Sequence, residues 1–490
     1  MIGKDDRQTV RVMIKIDTSV WLGLVLLASL PAWSQAASQL ASSQSSTSQS
    51  SSSEDARPNV LVPAASGPLL SAVMNDDSRD DRMLAPPPVS GANYPTSFTS
   101  EERSNYLRGG VTFNTAYSDN VLGATTAAPV SDVSYSVWPT ISLDATIPRL
   151  HAVLTYAPGF TFYQRTSSRN EADQNAAIDF EYRLSPHVTF SAHDGFQKSS
   201  NVFNQPDLGL AGTVSGGTQE PNDSVIAPIA DRLSNNGNVG MAYQFAANQM
   251  VGAGGTFSNL HYPDQAQVPG LFDSSTQGGA GFYSLRVAKK HYVGVSYQYQ
   301  RLVTYLTASQ NETQTQAVIF FYTFSPSARS SVSLFGGPQH SDTAEAYPNP
   351  SLRSWTPAAG ASLNWQSRLT SFALSYAHLI AGGGGLIGAV ESDSATASMR
   401  QQITKMLSGS VSGLYAQNDI LGGAVLGVSN GHTVSGTASL QQLVGPHLSV
   451  QLGYTRLHQN YSTVAVLAAN PDTNREFVSI SYQFARPLGR

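Results

Sequence analysis

From about residue 105 to the C-terminus, short runs alternate apolar or aromatic residues with small polar ones at a period of two. One clear run has Val293, Val295, Tyr297 and Tyr299 separated by Gly, Ser and Gln. A period of two places successive side chains on opposite faces of a β-strand, whereas an amphipathic helix repeats every ~3.6 residues. The alternation therefore predicts an all-β region in which every strand has one apolar and one polar face.

The connections between these strands are of two unequal kinds. Eight tight connections are predicted at residues 147–149, 184–187, 246–249, 288–291, 325–329, 366–369, 404–406 and 444–447. Nine longer and more polar loops are predicted near residues 120–131, 166–173, 200–230, 261–274, 305–314, 339–352, 382–393, 419–430 and 460–474. Eight turns and nine loops join 18 strands, or 16 if the weak pair between Glu391 and Gly423 is misread.

The strict succession of short turn and long loop is typical of a transmembrane β-barrel, whose short turns face the periplasm. Aromatic residues such as Tyr182, Phe245, Tyr322 and Trp365 lie next to the turns, as in an interfacial girdle. A soluble β-sandwich also alternates along its strands, but nothing in that fold requires the connections to alternate in length. We therefore predict a transmembrane antiparallel up-and-down β-barrel over residues 105–490, with the short turns and both chain ends on the periplasmic side.

The N-terminal part predicts the cellular compartment. A basic leader precedes an apolar run from Val20 to Leu30 and the small-residue sequence 34–36, which together predict a secretory signal peptide over residues 1–36. If translation starts at Met13, the signal is 13–36. Residues 37–104 are rich in Ser and Pro and predict a disordered periplasmic tail, with a partner-binding arm as the alternative. The predicted location is the cell outer membrane, with its lipid as a partner.

Composition excludes several functional classes. The chain has no cysteine, which rules out disulfides, cysteine-ligated metals, a cysteine nucleophile and a lipoprotein anchor. The net charge of −5 implies no basic surface for nucleic acid. The run 382–385 is all glycine but lacks the Lys and Ser/Thr of a phosphate loop, and we interpret it as a flexible hairpin tip.

The ten histidines offer little for catalysis. His193 and Asp194 are the one adjacent histidine and acid near a strand end on the loop side, which is a weak signal for a barrel hydrolase. The histidines near the tight turns lie one per hairpin and lack metal-ligand spacing. We therefore predict no enzyme activity, no metal and no cofactor, with a hydrolase as the minor alternative.

The last strand carries a resemblance to a known class. Its alternating residues Val478, Ile480, Tyr482 and Phe484 resemble the C-terminal signature of bacterial outer-membrane β-barrels, which the barrel-insertion machinery reads. Six residues, 485–490, follow the aromatic residue that usually closes such chains. In texture and layout, residues 105–490 also resemble the β-barrel porins found with exopolysaccharide genes in Gram-negative bacteria.

Two functions are compatible with such a barrel. One is a porin-like channel for small hydrophilic solutes, oligosaccharides among them, because the lumen positions carry hydroxyl and amide groups with few charges. The other is a surface-structural or exopolysaccharide-secretion component. The longest loop, 200–230, carries the carboxylates Asp207, Glu220 and Asp223, with Asp231 beside it. In general porins the third loop folds inward, so these four residues are candidates for a cation-favouring constriction, with an external flap as the alternative.

Overall fold

The computed structural model describes residues 105–121, 129–199, 231–306, 310–327, 329–344, 352–386, 388–421, 431–461 and 472–487. The predicted signal peptide 1–36 and tail 37–104 lie outside these ranges, so their boundaries stay predictions. Within these ranges, no helix is long and apolar enough to cross a membrane.

Almost all of the described chain is β-strand. The strands are β1 Tyr106–Ser118, β2 Asp132–Ile147, β3 Leu150–Tyr163, β4 Glu171–Arg183, β5 Val188–Ser199, β6 Arg232–Ala246, β7 Gln249–His261, β8 Asp273–Ala288, β9 His291–Tyr305, β10 Gln310–Ser327, β11 Ser330–Ala344, β12 Leu352–Gln366, β13 Thr370–Gly382, β14 Ala389–Gln402, β15 Leu407–Ile420, β16 Gly431–Leu443, β17 Leu448–Tyr461 and β18 Asp472–Pro487. Two short 3-10 turns cover Ser167–Arg169 and Gln265–Gln267.

These strands form one closed antiparallel barrel. Each strand pairs with its neighbours in the chain, and β1 pairs with β18 from Tyr106 opposite Pro487 to Ser118 opposite Arg475. Closure gives the backbone N–H and C=O groups at the edges of β1 and β18 hydrogen-bond partners, which lipid could not supply. The predicted 18-strand barrel is confirmed, and the weak pair near Glu391 is β14 and β15.

The connections have the predicted inequality. The eight tight turns lie where the sequence places them, for example between Ile147 and Leu150 and between Leu443 and Leu448. The nine long connections also lie close to their predicted positions. Three of them, predicted at 305–314, 339–352 and 382–393, are shorter than expected, because β10 begins at Gln310, β11 continues to Ala344 and β14 begins at Ala389. We call the two ends of the barrel the short-turn rim and the long-loop rim.

The two faces of the wall have opposite chemistry. Large apolar side chains are exposed on the outside, among them Phe320 and Leu452, while Thr161, Ser284 and Thr313 are buried on the lumen side. An apolar exterior with a polar interior is the pattern of an outer-membrane β-barrel and the reverse of a soluble protein. The predicted location in the cell outer membrane follows from this surface.

One strand shows the height of the membrane-facing band. Trp355 and Trp365 lie on the outward face of β12 at opposite ends of the strand, and both are exposed. Ten residues of a strand tilted by ~40° span about 25 Å along the barrel axis, which is the height of the apolar band between two aromatic girdles. Trp355 therefore marks the membrane interface on the long-loop side and Trp365 that on the short-turn side.

Candidate pore constriction

The predicted site residues fall into two groups. Asp207, Glu220 and Asp223 lie outside the described residues, and Asp231 is exposed just before β6 at the long-loop rim. The signature residues line the outward face of β18, with Val478, Ile480, Tyr482 and Phe484 between 44% and 47% exposed. The inward third loop thus stays a prediction, while two other loops enter the lumen.

The first of these loops, residues 262–272, joins β7 to β8. Its apolar residues Tyr262, Val268 and Leu271 are almost fully buried. Asp273 at the start of β8 accepts a hydrogen bond from the Tyr262 backbone N–H at 2.8 Å, and Asp264 accepts one from Ala266 N at 3.1 Å. These bonds compact the loop, so that its apolar side chains point away from water.

The second loop, residues 383–388, joins β13 to β14 and meets the first. The backbone N–H of Phe272 donates to the carbonyl oxygen of Gly385 at 2.7 Å. Gly385 has φ +102°, and a Cβ at this position would lie 2.7 Å from the Tyr262 hydroxyl oxygen. A glycine is therefore required where the two loops touch. The expectation of a flexible hairpin tip at 382–385 missed this role, because the loop bends into the lumen and packs there.

The wall opposite the first loop completes the contact. An apolar cluster at the long-loop rim, here called the lumen cluster, comprises Leu260, Tyr262, Val268, Leu271, Ala381, Leu386, Val390 and Tyr461. Tyr461 lies on β17, which faces β7 across the ring of 18 strands. Its hydroxyl group accepts from Asn418 Nδ2 at 2.7 Å and bonds the Thr433 hydroxyl at 3.2 Å. The cluster therefore spans the lumen from one wall to the other.

The environment of Tyr262 reflects this enclosure. Burial in the lumen cluster raises the pKa of Tyr262 to about 12, although the nearby Arg232 lowers it somewhat. The phenol is therefore neutral at any physiological pH.

The second loop is also fixed to the side wall. Gly388 N donates to Thr304 Oγ1 on β9 at 3.2 Å. Ile380, near the end of β13, is fully buried against Leu302 of β9 and Ala389 of β14. By strand alternation Ile380 belongs to the outward face, yet it packs on a lumen-facing residue. The end of the β13–β14 hairpin therefore leans inward, behind the wall.

Charges line the lumen nearer the short-turn rim. Asp144 on β2 contacts His151 Nε2 at 3.3 Å and Arg108 at 3.6 Å. Asp179 on β4 pairs with His193 Nδ1 on β5 at 2.6 Å. These contacts lie between adjacent strands: Arg108 compensates the charge of Asp144, and hydrogen bonds link Asp144 to His151 and Asp179 to His193.

The predicted neighbours His193 and Asp194 do not form a catalytic pair. Consecutive strand residues point to opposite faces, so His193 faces Asp179 in the lumen. Asp194 instead accepts a hydrogen bond from Asn235 Nδ2 at 3.1 Å. Among the described residues no group of three or more histidines, cysteines or acids could hold a metal ion.

Comparisons with known proteins found structural likeness only. No protein-family model matches the sequence. No curated protein matches it either. Similar solved structures include OccAB4 of Acinetobacter baumannii (8% identity, TM-score 0.41, 79% of this chain and 100% of that one). Others are OpdK (10%, 0.40, 78% and 99%) and OprD (12%, 0.37, 78% and 96%), both of Pseudomonas aeruginosa. At these identities and TM-scores the likeness says nothing about the solute.

The residues of the lumen cluster were not predicted from the sequence. A signal was present, because Val268, Leu271 and Leu386 are apolar residues within connections that are otherwise rich in Gly, Pro and polar residues. An apolar side chain in a solvated external loop stays in contact with water and contributes no hydrophobic stabilisation. Such residues in a long-loop connection are therefore a reason to expect that the loop folds inward.

Proposed function

We propose that this protein is a porin-like channel of the outer membrane for small hydrophilic solutes, oligosaccharides among them. A lumen lined mainly by hydroxyl and amide groups supports this function, because such groups hydrogen-bond a neutral polar solute without holding it by charge.

The observation that carries the proposal is the meeting of two loops inside the barrel. The bond between Phe272 N and Gly385 O joins them, and Tyr461 meets them from the far wall. A barrel of 18 strands would otherwise leave a wide aqueous lumen. A selective channel requires such a narrowing, whereas a plain membrane anchor does not.

The experiment is single-channel conductance of the purified protein in a planar bilayer. The double variant Tyr262→Ala and Leu386→Ala removes two side chains of the lumen cluster, and we expect a larger conductance. Liposome swelling should also admit larger sugars in this variant than in the unaltered protein. The matched control is Tyr415→Ala, which removes an outward, exposed aromatic ring and should leave conductance unchanged.

Two outcomes would contradict the proposal. One is a folded protein that shows no conductance, either unaltered or as the double variant. The other is a conductance that responds no more to the double variant than to Tyr415→Ala.

Cation preference from the third loop is a separate prediction. Deletion of residues 207–223 should lower it if the loop folds inward, and should leave it unchanged if the loop is an external flap.

A further inference from the structure

The backbone ladder of the barrel has a break between β12 and β13. Their register pairs only Ala359–Gln366 with Ser371–His378, the shortest of the 18 described pairings. Above this point β12 still pairs with β11 up to Leu352. Among the described residues, no strand pairs with the β13-facing edge of β12 over residues 352–358. We call this break the seam, with Trp355–Ala358 on one side and Leu379–Gly382 on the other.

A proline accounts for the break. Extending the register would place Ile380 opposite Pro357, and proline has no N–H to donate to the ladder. The Ile380 N–H turns instead to a side chain and donates to Gln339 Oε1 of β11 at 3.2 Å. The seam is therefore closed by side chains, with the β13–β14 hairpin leaning behind β12.

The seam lies at membrane depth. Trp355 is 71% exposed and marks the interface on the long-loop side, and residues 356–358 continue from it toward the membrane centre. Backbone without a strand partner at this depth is tolerated where protein covers it or where it lines a cavity. The hydroxyl group of Thr356, on the lumen side of the seam, is buried and lacks a hydrogen-bond partner among the described residues.

The two sides of the seam differ in chemistry. The inner wall beside it is apolar, with Ala317, Ile319, Phe335 and Ala358 packed together on β10 to β12. This surface suits an acyl chain.

The outward face of the hairpin is acidic. His378 contacts Asp393 at 2.9 Å and Glu391 at 3.1 Å, and the Tyr376 hydroxyl donates to Asp393 at 2.7 Å. By strand alternation these groups share the outward face of the hairpin with Ile380, and a carboxylate on that face is costly wherever it meets lipid. The imidazole of His378 does not use all the lone pairs of these two carboxylates, so their oxygens can also accept hydrogen bonds from an ammonium group.

We propose that the seam is a lateral gate, through which an amphipathic molecule with an ammonium-bearing headgroup and an acyl chain passes between the lumen and the membrane. Opening needs the Gln339–Ile380 hydrogen bond to break and Ile380 to leave Leu302, while the ladder of β13 with β14 stays intact. The acyl chain then follows the apolar inner wall, and the ammonium group meets Asp393 and Glu391. This route goes beyond the axial channel and does not depend on it.

The test uses photo-cross-linking in vesicles of phosphatidylethanolamine and phosphatidylglycerol. A benzophenone amino acid replaces Thr356, and a trace of labelled phosphatidylethanolamine reports capture. We expect capture at position 356 well above that at Ser333, a buried lumen position on the continuously paired part of β11. Position Trp355, which faces lipid, serves as the positive control. Labelled phosphatidylglycerol, which lacks the ammonium group, should be captured less at 356.

A reversible lock tests the gate itself. The chain has no cysteine, so Leu302→Cys with Ile380→Cys gives one defined disulfide between groups that pack together. Oxidation should abolish capture at 356 and leave capture at 355 unchanged, and reduction should restore capture. In case the lock does not form, Gln339→Met removes the acceptor of the Ile380 N–H and should raise capture at 356 several-fold.

Three results would overturn the gate: capture at 356 no higher than at 333, capture that persists in the oxidised lock, or capture that Gln339→Met does not raise. Axial conductance is recorded on the same preparations. A protein that conducts but captures no lipid at 356 therefore refutes the gate alone, while one that captures lipid without conducting refutes the channel alone.

Discussion

The barrel has two boundaries that invite comparison, the closing pair β1–β18 and the hairpin pair β12–β13. The first joins strands from opposite ends of the barrel sequence, yet it is paired along the whole of β1. The second joins strands separated by one tight turn, yet its ladder stops after Ala359 and His378. Nearness in sequence therefore does not decide where the wall is strongest.

The difference follows from which backbone groups are available. Strand β1 contains no proline, so each of its residues can donate to one neighbour or the other. In β12, Pro357 faces Pro338 of β11 on one side and the seam on the other. The closing pair is held by backbone groups, which every residue except proline supplies in full, whereas the seam is held by particular side chains. Substitutions should therefore affect the two boundaries differently.

The largest effect is expected on the continuously paired wall near the closing strand. Leu452→Arg places a charge on the lipid face of β17, opposite Val478 of β18, and should lower the free energy of unfolding by ~2–4 kcal/mol. Gln451→Arg, one residue earlier on the lumen face, should cost far less because water and polar groups surround it. Urea unfolding in lipid vesicles measures both variants. Equal losses would mean that the two faces are wrongly assigned.

An intermediate effect is expected where the two inward loops touch. Gly385→Ala forces a left-handed residue, at a cost of about 1–2 kcal/mol, and pushes its Cβ against the Tyr262 hydroxyl. The loop contact should weaken and single-channel conductance should rise. Gly445→Ala is the matched control, because Gly445 has a similar φ of +98° but nothing within 4 Å. If both variants raise conductance alike, backbone strain alone is the cause and the contact is irrelevant.

The smallest effect should distinguish the two boundaries most directly. Gln339→Met keeps the side-chain length but removes the acceptor of the Ile380 N–H, which should cost about 1 kcal/mol. Hydrogen exchange at Ile380 should then accelerate by about fivefold. Asn114→Leu removes a comparable buried bond, the one from Ser479 Oγ at 3.0 Å, beside the closing pair. Exchange along β1 should stay slow there, since its ladder is complete. Faster exchange in β1 would mean that side chains hold both boundaries.

Much of the fold could be predicted because each strand carries its own signal. Alternation around Tyr297 or Ile480 identifies a strand, and a short turn such as 444–447 sets which strand follows. The inward loops could not be predicted in this way, because Leu271 and Leu386 bury each other only after the whole ring has closed. Pro357 was visible in the sequence, but its effect depends on Gln339, whose position relative to β13 only the closed barrel provides.

The register of the closing pair also has a consequence for protein engineering. Tyr106 and Pro487 are direct partners at the short-turn rim, so the start of β1 and the end of β18 lie side by side. A short linker could join them, and new ends could be cut in the turn between Gln366 and Thr370. Such a circular permutant would keep all eighteen strands while moving its free ends to the foot of the seam. The strand that is synthesised last would then be β12, and the final strand to be captured during insertion would be the one that carries Pro357.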